Sequence, residues 1–117
     1  MTPLTLHHAK NVRVIRSFYM TFDGKRCTCK ITRFSLNRDA AFMHVSYGAN
    51  DEEDYSLTSE DGIHYAGAYL GTNDDSRVEF VKFQRNDELV MAGIWKCGGR
   101  EGEWYIEGVV KDESRPA

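Results

Sequence analysis

Apolar and polar residues alternate with a period of two over most of the chain, the spacing of half-buried strands. Residues 11–22 place Val12, Val14, Phe18, Met20 and Phe22 on one parity. The run ends in Asp23-Gly24, a strong hairpin signal between two β-rich stretches. Residues 25–36 alternate through Cys27, Cys29 and Ile31, then change parity to Phe34 and Leu36, which predicts a bulge. After Asn37-Arg38-Asp39, residues 41–47 carry Met43, Val45 and Tyr47 on the more apolar face. A loop over 48–53 leads to a short run, 54–59, with Tyr55 and Leu57. Residues 63–70 align Ile63, Tyr65, Gly67 and Tyr69. Residues 76–85 change parity from Val78 and Phe80 to Val81 and Phe83, a second predicted bulge. Residues 88–96 align Leu89, Met91, Gly93 and Trp95, and residues 103–110 align Trp104, Ile106, Gly108 and Val110.

No segment carries a sustained helical stripe, although residues 4–10 or 37–41 have room for a short helix. The pattern predicts an all-β chain of about eight strands joined by hairpin-length loops. Strands joined this way are antiparallel neighbours. A simple meander leaves two exposed edges, and pairing its first strand with its last removes both. The predicted fold is therefore an eight-stranded antiparallel up-and-down meander closed into a small barrel. A two-layer β-sandwich is the competing architecture. Residues 11–111 form the barrel domain, with an N-terminal segment over 1–10 and a C-terminal tail over 112–117. Mid-strand glycines at 67, 93 and 108 fit tight coiling or close backbone approach.

Composition narrows the function classes. At 117 residues and 13.4 kDa the chain makes one domain. Fifteen Lys and Arg against eighteen Asp and Glu give a net charge of −3. That balance argues against a nucleic-acid partner, and no apolar run is long enough to span a bilayer. No secretion signal is expected at the N-terminus. Cys27, Cys29 and Cys97 make an odd count, which suits free thiols in a reducing, cytoplasmic setting. Cys27 and Cys29 share a strand face and read as small buried apolar residues. Without a second pair at matching spacing they predict no metal site, and no cofactor motif is present.

The C-terminal half contains Tyr65-x-Gly67-x-Tyr69, then Gly93-Ile94-Trp95, then Gly102-Glu103-Trp104-Tyr105-Ile106-Glu107-Gly108. In these strands and in its topology the chain resembles the calycin-type barrels, the superfamily of lipocalins, fatty-acid-binding proteins and avidins. The lipocalin signature places its G-x-W on the first strand, whereas both copies here lie on the last two. The resemblance thus implies a style of barrel, and carries no ligand residue over. It implies a ligand-binding barrel, or one reused for assembly, whose open mouth lies opposite the termini.

In such a meander the first, third, fifth and seventh loops share that mouth. They carry Asp23, Asp51, Glu52, Glu53, Asp54, Asp74, Asp75 and Glu101. An acidic rim favours a neutral, aromatic or cationic ligand over an anion, although acidic residues also suit turns for purely local reasons. Trp95, Met91 and Trp104, with Tyr65 and Tyr69, are the candidate pocket residues, and the same aromatics would also suit a filled core. Arg16 is the one charge in the apolar parity of the first run, so it is a candidate ligand anchor or a snorkelling side chain. Lys82 stands likewise on the sixth run. His44 and His64 are expected to face solvent. Tyr105, Val109, Ile94, Val90, Leu70 and Ala68 fall on the outward parity and suggest a homo-oligomer or protein interface. The expected function is a non-enzymatic binding module for a small molecule. The alternative is a protein-interaction or homo-oligomerisation module with a solid core. A small barrel enzyme would need a titratable pair inside the lumen, for which Arg16 with a nearby acid is the candidate; no catalytic residue is otherwise predicted.

Overall fold

Nine strands follow one another along the chain: β1 (Lys10–Met20), β2 (Arg26–Thr28), β3 (Lys30–Leu36), β4 (Ala40–Gly48), β5 (Asp51–Thr58), β6 (His64–Leu70), β7 (Arg77–Arg85), β8 (Glu88–Cys97) and β9 (Arg100–Lys111). The structure, a computed structural model, describes residues 9–48, 51–70 and 76–111, except for the side chains of Tyr69 and Leu70. Among the described residues there is no helix, so neither candidate short helix is seen: residues 37–39 form a tight turn, and residues 4–8 lie outside the described chain.

β1 pairs antiparallel with both β2 and β3, each strand from β3 onward pairs antiparallel with the next, and β1 pairs with β9, which closes the sheet on itself. β2 and β3 are two pieces of one interrupted strand beside β1, in the same register: Phe18 faces Thr28 and Asn11 faces Ser35. Eight strand positions thus surround the axis, and the sandwich alternative does not apply. Among the described residues, closure leaves only the three-residue β2, which pairs with β1 alone, with an unpaired edge.

Three bulges set which residues point inward. One falls between Ile31 and Arg33, where the parity change in the sequence predicts it, and keeps both Ile31 and Phe34 inside. A second falls between Val14 and Arg16, where Ile15 is extruded and 58% exposed. Past it the inward residues become Ser17 and Tyr19, while Phe18 stacks on Tyr105 outside the barrel at 5.2 Å. The expectation that Phe18, Met20 and Phe22 continue the inward face of Val12 is thereby corrected. The third bulge leaves Tyr47 as the extra residue between Ser46 and Gly48. The bulge expected in residues 76–85 is absent: β7 pairs with β8 without a register shift from Arg77 to Arg85. Phe83 therefore stays outside and is 59% exposed.

The two G-x-W segments turn out to be one packing unit. β8 and β9 run antiparallel in a register that sets Gly93 opposite Trp104 and Trp95 opposite Gly102. The Trp95 indole lies over Gly102, while the Trp104 ring packs on Phe80, the β7 residue that pairs with Gly93. A Cβ on Gly102 would fall 2.6 Å from Trp95 Nε1 and 2.1 Å from the Met20 carbonyl, so only glycine leaves the indole a path to that oxygen. Trp95 Nε1 uses the path and donates to Met20 O at 2.8 Å, tying β8 to β1 across β9. A Cβ on Gly93 would sit 1.8 Å from the Glu79 carbonyl, so β7 and β8 approach more closely than any side chain allows.

Candidate functional site

The two ends of the barrel are filled differently. At the end bearing Lys10 and Lys111, Val12, Phe34, Leu36, Leu57, Leu89 and Val110 close the lumen. Tyr65 is 1% exposed there, and its hydroxyl donates to the carbonyls of Asn37 at 2.6 Å and Arg38 at 3.1 Å. Asn37 Oδ1 in turn accepts from the amides of Asp39 and Ala40. Met91, fully buried, belongs to the packed middle of the barrel. Tyr65 and Met91, both pocket candidates, are thus core and plug and line no part of the cavity described next.

That cavity, of about 200 Å³, opens at the opposite end, the one expected to be open. Trp104 lies within the lining, 2% exposed, and its indole contacts the rings of Tyr55 and Phe80 at centroid separations of 5.3 and 5.5 Å. Trp104 Nε1 donates to Ser17 Oγ at 3.0 Å, so its polar atom is spent on the wall. Trp95, Tyr19, Tyr47 and Tyr55 make the aromatic walls, with Val78 between. Tyr19 and Tyr47 meet edge to face at 5.7 Å. Trp95 and Trp104 are the candidates that the structure brings together. Tyr69 pairs through its backbone with Tyr55, but its side chain lies outside the described residues.

The polar equipment is sparse and specific. Glu53 continues the inward parity of Tyr55 and Leu57 and lines the cavity. Tyr55 donates to Glu53 Oε1 at 2.9 Å, and the Tyr47 and Tyr55 hydroxyl oxygens lie 2.8 Å apart. Because Tyr55 gives its proton to the carboxylate, Tyr47 donates to Tyr55. Burial first pushes both phenols above the usual tyrosine range, the Tyr55 phenol adding to it at Tyr47 and the Glu53 carboxylate at both, while the hydrogen bond from Tyr47 works the other way on Tyr55; both stay protonated as donors. Ser76 also lines the cavity; its hydroxyl oxygen is shut off from solvent and has no hydrogen-bond partner among the described residues. A buried hydroxyl left unpaired is costly and calls for a partner.

Of the acids expected at the rim, Glu53 lines the cavity, and its neighbours Glu52 and Asp54 do not. Glu52 and Asp54 alternate with Glu53 and lie on the outer wall, where both engage His44 at 2.5 Å. Their hydrogen bonds raise the His44 pKa above 6.5. Asp23 accepts from Thr21, and Asp74 and Asp75 lie outside the described residues. Arg77 and Lys96 also border the cavity, but they face each other in the β7–β8 register on the outer parity, are exposed, and Arg77 Nε is held by Glu79 at 3.2 Å.

Arg16 is not in the lumen. The Ile15 bulge turns it to the outer face, where it pairs with Glu107 at 3.7 Å and is largely exposed. Lys82 does keep the inward parity, at the filled end, with Nζ 5.6 Å from the Tyr65 ring centroid; burial lowers its pKa. His44 is half-buried on the outside and His64 is exposed. Cys27 and Cys29 are half-buried free thiols and Cys97 is an exposed one at the cavity rim. Among the described residues no three His, Cys, Asp or Glu side chains gather to hold a metal ion.

Tyr19, Tyr47, Tyr55, Glu53 and Ser76 were not among the sequence candidates. Parity carried a signal for four of them: Tyr47 follows Met43 and Val45, Glu53 and Tyr55 precede Leu57, and Ser76 precedes Val78 and Phe80. Tyr19 was hidden by the bulge. No protein-family model matches the chain, and a search of curated proteins finds no match.

Proposed function

We propose that this barrel is a non-enzymatic binding module that takes a small, largely aromatic molecule into the cavity opposite its termini, in the manner of the calycin-type barrels it resembles. One observation carries the reading: the cavity of about 200 Å³ is walled by five aromatic side chains, while the other end of the same lumen is packed shut. Enclosed apolar space with a few fixed polar groups is the usual form of a small-molecule site. An apolar cavity of about 150 Å³ is enough to accept benzene, so this one suits a single ring with a short substituent. Thermal unfolding with and without saturating toluene tests the reading. Binding to the folded state raises Tm, and Ser76→Phe, whose ring would occupy the cavity, should abolish the rise. No rise in the wild-type protein would overturn it.

A second reading, self-association, draws on the outer face. Ile63, Phe83 and Val90 are 47, 59 and 37% exposed and gather around a shallow groove at the ends of β6, β7 and β8. Arg85 and Glu88, cross-strand partners, flank it. A two-fold axis through the groove would set Arg85 of each copy against Glu88 of the other, a self-complementary arrangement. This patch replaces the broader one expected from parity, because Tyr105, Val109 and Ile94 are half-buried by their neighbours. Sedimentation across a concentration series, with Phe83→Glu as the disrupting variant, checks it.

A further inference from the structure

The geometry points to a primary amine on a single aromatic ring as the class of ligand, with the ammonium on Glu53 and the ring among Trp95, Tyr55 and Trp104. The inference rests on the binding reading above and narrows it to one chemistry.

Three features carry the choice. The first is charge. Glu53 is the one charged side chain with inward parity among the described cavity-lining residues. Arg77 and Lys96 border the cavity only from the outer parity, and Arg77 is already held by Glu79. A carboxylate at the edge of an apolar enclosure attracts a cation and repels an anion more strongly than it would in water.

The second is donor and acceptor count. Tyr55 occupies Glu53 Oε1, and Oε2 has no partner among the described residues. Ser76 Oγ is likewise open. An ammonium brings three donors and no acceptor, the complement of a site whose open atoms are oxygens. A carboxylate ligand would bring only acceptors to a site whose open charged atom is itself an acceptor. The Tyr47–Tyr55 pair points its protons along the chain towards Glu53, which braces the carboxylate.

The third is shape. Two indoles and three phenol rings border a space of about 200 Å³. One ring fills most of it, and the remainder holds a tail of two or three atoms, since a water molecule's share of liquid is about 30 Å³. The ring faces also favour a neighbouring cation.

Calorimetric titration of the intact protein with phenethylamine, 2-phenylethanol and phenylacetate separates the possibilities, because the three share ring and tail and differ in charge. Phenethylamine should bind at least about 10-fold more tightly than the alcohol, as charge-assisted hydrogen bonds are the stronger ones. Phenylacetate should bind weakest. Glu53→Gln should bring the amine down to within about threefold of the alcohol while weakening the amine far more than the alcohol, a selective loss that a merely destabilised fold would not give. Equal or tighter binding of the alcohol or the acid overturns the amine assignment and leaves the aromatic pocket standing. Binding of none of the three removes both.

Discussion

The two ends of this barrel are built from the same alternation of apolar residues and yet end differently. At the closed end, five aliphatic side chains and Phe34 close the lumen, and Tyr65 stops the remaining gap by donating to two loop carbonyls. At the open end the lumen carries large flat rings, and these stand along the wall, packed on one another, with a cavity left between them. They stand there because their polar atoms are tethered to the wall: Trp95 to the Met20 carbonyl, Trp104 to Ser17, Tyr55 to Glu53. A tethered ring cannot collapse into the space beside it. Whether a small barrel is a core or a container is decided here by where the hydrogen bonds of its aromatics go, more than by how apolar its interior is.

The largest effect that this contrast predicts is between the two tryptophans. Trp104 has packed rings on it and is almost fully buried, so Trp104→Ala should cost about 3–5 kcal/mol of unfolding free energy. Trp95 is only half-buried and borders the cavity, so it has fewer packing contacts to lose. Trp95→Ala should therefore cost less, about 1–3 kcal/mol, while abolishing binding of phenethylamine. Urea unfolding of both variants checks the order. Equal costs would mean that the open end is as much a core as the rest.

Next in size is Gly102→Ala. Its Cβ would displace the Trp95 indole from Met20 O, since both lie within 2.6 Å of the place it must occupy. We expect a loss of about 1–3 kcal/mol together with a change in tryptophan fluorescence as the indole leaves its carbonyl. An unaltered spectrum would show that the glycine is not what admits the indole.

These expectations also show what the sequence could disclose. The strands and their order follow from alternation and turn residues, the end that opens was expected only from the resemblance to calycin-type barrels, and the bulge near Thr32 is visible because Ile31 and Phe34 lie on opposite parities. The bulge at Ile15 is not visible, because Val14, Ile15, Phe18 and Met20 are apolar on both sides of it. Reading through it placed Arg16 inside and left Tyr19 out. In β7 the reverse happened: Val81 and Phe83 are apolar on an outer face, which looks like a parity change where the register is unbroken. The reciprocal Gly93–Trp104 and Trp95–Gly102 pairs need the β8–β9 register, which the motif alone does not supply. The cavity itself depends on how side-chain volumes sum around a closed ring, a property of eight strands together.

A smaller pair of changes sharpens the division of labour between the ends. Tyr65→Phe removes the donor for two carbonyls and should cost about 1–2 kcal/mol, with amine affinity unchanged. Tyr47→Phe lies at the cavity and should shift stability by only about 0.5 kcal/mol, while weakening the amine because Tyr55 and Glu53 lose their brace. Stability and binding measured on both variants should therefore move in opposite combinations. If Tyr65→Phe weakened binding as well, the two ends would be coupled through the barrel.

The least effect, and the one that separates the ends by pH, concerns two exposed ion pairs. Asp61, in the turn before β6 at the closed end, accepts from the amides of Ile63 and His64 and from the His64 ring. These bonds hold its carboxyl below the ordinary 3.8. Its contribution is therefore present above that value and is lost as pH falls through the lowered one. His44, on the outer wall towards the open end, has the opposite sign. Asp54 and Glu52 raise its pKa above the ordinary 6.5, so its contribution is present below 6.5 and is lost as pH rises through the raised value. Melting temperatures of Asp61→Asn, His44→Gln and wild type across pH check this. The Asp61→Asn deficit should shrink only as pH falls below 3.8, and the His44→Gln deficit should shrink only as pH rises above 6.5. Deficits that stay flat with pH would mean that neither pair responds to its charge, and that the turn at the closed end and the wall at the open end are held by backbone geometry alone.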